Sequence, residues 1–153
     1  AEILGGGTTA RLYRRLVVEK GIAASAGAWY SANRLDSGEF GIAASPRPGT
    51  DLAELEAAVI EELNRIVTAG VTAAEMARSK KSMVASAIYV RDSLRAGPNI
   101  FGRALTTGRT IADVEAWPDR IETVTLDQVN AAARAVLKKQ NSVTSILLRD
   151  RES

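Results

Sequence analysis

The sequence predicts an α/β domain of the α+β type, a small and mostly antiparallel sheet with helices packed on one face. Three observations carry this. Two short runs with strand character, 22–33 and 39–45, flank the turn-rich Arg34-Leu35-Asp36-Ser37-Gly38. The longest periodic stretch, Asp51 to Ala69, places apolar residues at steps of three and four. The β-branched, apolar run Ser142 to Leu148 comes last. With 153 residues, 46% of them apolar and 25% charged, the chain has the size and balance of one globular domain spanning 1–153 with no internal linker.

In chain order, Leu12, Leu16 and Val17 recur at helical spacing between Thr8 and Lys20, with Thr8 or Thr9 placed to cap the helix start and Gly21 to end it. The hairpin follows, and Pro46-Arg47-Pro48-Gly49 closes its second strand. In the next helix Leu52, Leu55, Val59, Leu63 and Ile66 form the apolar stripe, Asp51 and Glu54 sit at the positive end, and Gly70 follows the last turn. Thr72 and Glu75 then make a capping box at the head of a long helix reaching about Ser93, where Asp92-Ser93 suits a cap or turn. Gly97-Pro98 is expected to break it, leaving a shorter helix from Asn99 to Thr106. Two short helical pieces precede a second capping box, Thr125 with Gln128, which opens a helix to Lys138. The run 142–148 is expected to finish the chain as a strand in the same sheet.

Composition excludes several kinds of function. The formal net charge is +2 and aromatics are 5% of residues, so neither a basic surface nor a stacking platform for nucleic acid is implied. Arg11, Arg14, Arg15, Lys80 and Lys81 read as solvated helix faces. The apolar runs are shorter than the roughly 18 residues needed to span a bilayer, so membrane insertion is not expected. Cysteine is absent, which removes disulfides, thiol catalysis and thiolate metal sites. Histidine is absent as well, which removes the usual zinc ligand and the usual general base together.

The remaining motifs have structural readings. Gly5-Gly6-Gly7-Thr8-Thr9-Ala10 fits G-x-G-x-x-A, but a dinucleotide site needs a buried strand leading into the glycines, and only four residues precede them here. A tight connection between two helices accounts for them. Glu54, Glu56, Glu61 and Glu62 read as the polar side of the 51–69 helix. Trp29, Tyr30, Tyr89, Phe101 and Trp117 read as core or interface aromatics. The residues themselves therefore nominate no catalytic, metal-binding or cofactor-binding side chain.

Four segments carry a likeness. Ile3-Leu4-Gly5-Gly6-Gly7-Thr8-Thr9-Ala10-Arg11-Leu12-Tyr13 resembles the Leu-Gly-Gly-x-x-x-Ser-Arg-Leu-Tyr/Phe segment of the pitrilysin, insulinase and mitochondrial processing peptidase family. Val18-Glu19-Lys20-Gly21-Ile22-Ala23 resembles its Glu-Lys-x-Gly-Leu-Ala stretch in the same register. Gly70 to Met76 with Lys80-Lys81, and Thr123 to Ala135, resemble two of its helix starts. The resemblance implies one half of a two-half zinc metallopeptidase that closes like a clam around an unfolded peptide. The catalytic half of such enzymes carries His-x-x-Glu-His. That motif is missing here, so the resemblance implies the C-terminal, zinc-free half.

Zinc-free halves of active members often add an Arg and a Tyr that steady the substrate and its developing oxyanion. In this register those positions hold Val17 and Ala24, which can donate no such hydrogen bond. No catalytic residue is expected, then, and no cofactor in this chain; zinc is expected in the complementary half. The expected partners are that zinc-bearing half or a partner subunit of the same family, together with a peptide substrate. The resemblance also admits a purely structural or assembly subunit with no peptidase role. Because a strand and most of a helix come before the Leu-Gly-Gly segment in the family, the domain is expected to be truncated at its N-terminus and to bury an open sheet edge by association.

Overall fold

A computed structural model of the chain describes residues 1–31, 34, 36, 38–90 and 95–148. A one-turn helix α1 (Glu2–Gly5) leads through the glycines into a helical stretch beginning at Arg11, two residues past Thr9. Its main part, Tyr13–Glu19, is wound as a π-helix. The Lys20 N–H reaches back five residues to the Arg15 carbonyl at 2.9 Å, and Gly21, at φ +64, turns the chain out. The glycine segment thus connects two helical elements, and no strand feeds it, so the setting a dinucleotide loop requires is missing.

Strands β1 (Ala23–Ser31) and β2 (Glu39–Pro46) pair antiparallel, with Ala28 opposite Ile42 and an irregularity between Ala23 and Ser25. One face of the hairpin packs inward over part of its length. Ala26, Ala28, Phe40, Ile42 and Ala44 pack against the core, while Ser25, Gly27 and Trp29 take the alternate positions of β1. The small alanines are what the site needs, because α1 lies almost on the backbone of β1. A Cβ on Gly5 would stand 2.0 Å from the Ala28 amide nitrogen, a distance no other residue type can tolerate. Ala32 and Asn33, expected at the end of the first strand, lie outside the described residues.

Helix α2 (Leu52–Ala69) follows, capped by Gly70 at φ +73, and then α3 (Ala73–Val90). The capping box forms as its sequence requires. The Glu75 N–H donates to Thr72 Oγ1 at 3.2 Å and the Thr72 N–H donates to Glu75 Oε2 at 2.8 Å. Asp92-Ser93 falls outside the described residues. Helix α4 (Ala96–Thr106) starts earlier than expected, with Gly97 and Pro98 inside its first turn. Proline is tolerated there because first-turn N–H groups have no helical acceptor to lose. Short helices α5 (Ile111–Glu115) and α6 (Trp117–Thr123) precede α7 (Leu126–Val136), whose Thr125–Gln128 capping box is complete.

The core gathers Leu4, Leu12, Leu16, Val17 and Ala23 from the first part of the chain with Leu55, Ala58, Ile66 and Val71 from α2 and the turn after it. Leu12, Leu16 and Ala23 are fully buried. Asn130 of α7 ties the far end of the molecule to this core, since its Oδ1 accepts from the Val71 N–H at 2.9 Å.

Two expectations need correction. Ser142 to Leu148 does not join the sheet, which among the described residues contains β1 and β2 alone. Ser142 is extended (φ −115, ψ 149), yet Val143 and Leu147 are each 96% exposed. β-Branched side chains favour an extended backbone, but a strand also needs a ladder partner, and this segment pairs with neither strand of the hairpin. Of the aromatics read as core or interface, Trp29, Tyr30, Tyr89 and Trp117 are all exposed, Tyr89 most of all, so the core alternative falls for these four, while Phe101 is half-buried.

Candidate functional site

Chemistry-bearing side chains converge where the Arg11 end of the first long helix meets the α2–α3 turn. Arg11 is drawn there because Leu12 and Leu16 anchor its helix in the core, which lays the preceding residue against Gly70. Its guanidinium forks onto one carboxylate, with Nε donating to Glu75 Oε1 at 2.7 Å and Nη2 to Glu75 Oε2 at 2.8 Å. Nη2 also donates to the Gly70 carbonyl at 2.8 Å, an acceptor that the end of α2 leaves without a helical donor. Arg11 Nη1 stands 3.9 Å from Glu62 Oε1, and Glu62 is only 6% exposed.

A second, more open ion-pair group continues along α2. Glu61 accepts from Lys20 and from Arg65, each at 2.7 Å, and Arg15 donates to Glu19 at 2.8 Å. The hydrogen bond from Arg11 holds the Glu75 carboxyl down to about 2, against the partial burial that pushes it up, and the Thr72 amide and hydroxyl help. The hydrogen bond from Lys20 likewise lowers Glu61. Between the Arg11–Glu19 stretch and α2 lies a cleft of about 490 Å³.

These groups are suited to bracing, not to proton transfer. A carboxylate held near 2 is a poor base at neutral pH, and a guanidinium keeps its proton throughout. Nor does the donor set fit zinc. Glu75 spends both oxygens on Arg11, the sequence holds neither histidine nor cysteine, and the described residues contain no group of three or more Asp or Glu able to hold a metal. Val17 faces the core at 8% exposure, and Ala24 lies exposed at the start of β1. Among the described residues no helix is long and apolar enough to cross a membrane.

Two residues read as solvent-facing are in fact part of this node. Arg11 is mostly covered, and Glu62 is the one buried charged residue among those described. The signal for Glu62 lies in the spacing, since it falls on the stripe Leu55, Ala58, Glu62, Ile66 that α2 buries. Arg11 coincides with the Arg of the Leu-Gly-Gly-x-x-x-Ser-Arg-Leu segment, but nothing nearby points to its partners, which stand 51 and 64 residues away.

The family model of the peptidase M16 inactive domain matches residues 1–83, which includes the glycine segment, Arg11, the hairpin and Glu75. The chain belongs to the peptidase M16 inactive-domain family. Among curated proteins, this M16 inactive domain is 29% identical over 143 residues to an uncharacterized zinc protease of Streptomyces coelicolor, covering 94% of this chain and 31% of that protein. It is 30% identical over 139 residues to an uncharacterized zinc protease of Mycobacterium leprae, covering 90% and 30%. The chain therefore spans about a third of the curated relatives it matches. Two solved structures share the fold. The inactive peptidase domain of a candidate zinc protease from Bordetella parapertussis superposes with a TM-score of 0.79 at 20% identity, covering 92% of this chain and 75% of that one. A protease from Helicobacter pylori gives 0.81 at 19% identity, covering 90% and 32%.

Proposed function

We propose that this M16 inactive domain is the non-catalytic half of a zinc-dependent peptidase, and that it helps enclose and position a peptide cut by zinc held in the complementary half. The observation that carries the reading is the chemistry of the most enclosed ion-pair group among the described residues. There the most perturbed carboxylate, Glu75, is committed to Arg11 and to its own capping box. A half built this way can contribute shape and surface, while water activation must come from elsewhere. Val17 and Ala24 fit the same reading, because an Arg and a Tyr for oxyanion stabilisation would then be supplied by a partner subunit. The hairpin offers the enclosing surface, with Trp29 exposed among small residues. In the same reading the open edge of the two-stranded sheet is taken up by the rest of the parent polypeptide.

The test is photo-crosslinking in the parent protein, with its zinc-bearing half inactivated and an unfolded peptide carrying a photoreactive side chain. Adducts within 23–46 support enclosure by this half. Adducts confined to the zinc-bearing half, in a parent that still cuts the peptide when active, leave the chain a scaffold. No peptide cleavage by the intact parent favours the structural or assembly subunit.

A further inference from the structure

We draw no further inference here: the strongest candidate, the cleft of about 490 Å³ between the Arg11–Glu19 stretch and α2, carries nothing because it belongs to the ion-pair network already described, its arginines being matched by Glu19, Glu61, Glu62 and Glu75.

Discussion

Arg11 and Glu75 stand 64 residues apart in the chain and meet through two parallel hydrogen bonds of 2.7 and 2.8 Å. The pair fastens the first long helix to the head of α3, and the bond from Arg11 to the Gly70 carbonyl fastens it to the end of α2. Replacing the arginine removes all three bonds and takes one cation from beside the buried Glu62, leaving Arg15 as another that acts on it. Arg11→Ala is expected to cost about 2–3 kcal/mol in urea unfolding, as loss of charge-assisted bonds at a partly covered site does. Arg11→Lys should recover only part of this, because an ammonium cannot span both carboxylate oxygens. Full recovery by lysine would show that charge alone matters.

The pair also sets a pH dependence. The folded-state value of Glu75 is about 2, below the ordinary 4.5, so its contribution is fully present above 4.5 and is lost as pH falls from there toward 2. Wild type should therefore be more stable than Glu75→Gln at pH 7, with the gap closing through that window. A gap unchanged between pH 6 and pH 2.5 would mean that Glu75 is not the group being titrated.

Gly5 and Gly102 give a contrast within one residue type. A Cβ at Gly5 meets the β1 backbone at 2.0 Å, whereas one at Gly102, inside α4, meets nothing within 4 Å. Gly5→Ala should destabilise by about 1–3 kcal/mol through overpacking. Gly102→Ala should be neutral or stabilise by up to about 1 kcal/mol through helix propensity. Equal effects in thermal unfolding would remove the argument that α1 rests on the backbone of β1.

Much of this fold can be read from local chemistry. The hairpin, the α2 stripe and the capping boxes Thr72–Glu75 and Thr125–Gln128 are spelled out within a few residues of where they form, and the likeness to the zinc-free half of a metallopeptidase lies in short segments. What local reading misses depends on distance. Glu62 reads as polar by residue type, yet it falls on the buried stripe because Arg11 arrives from another helix to meet it. Pro98 reads as a helix breaker, but a first-turn position removes its penalty. Ser142 to Leu148 has strand composition without a strand's partner. The expectation that Val17 and Ala24 stand where an assisting Arg and Tyr would otherwise be rests on residue type and the register of the resemblance, with no contact behind it.

The proposal that the rest of a parent polypeptide covers an edge of the hairpin makes a prediction about length. A version of the chain extended upstream by the parent's own sequence is expected to unfold at a higher temperature and to self-associate less, because added strands would satisfy edge N–H and C=O groups. Equal melting temperatures, with both forms monomeric by sedimentation over a wide concentration range, would mean that the two-stranded sheet needs no such cover.

The central claim is a division of labour between two halves, and the most direct measurement is peptidase activity with zinc content, taken on this chain, on the zinc-bearing half of its parent, and on the two mixed. The account predicts no stoichiometric zinc and no peptide hydrolysis by this chain, zinc in the other half, and chelator-sensitive hydrolysis that rises when this chain is added. Zinc retained by this chain after dialysis, or chelator-sensitive hydrolysis by this chain alone, would contradict it.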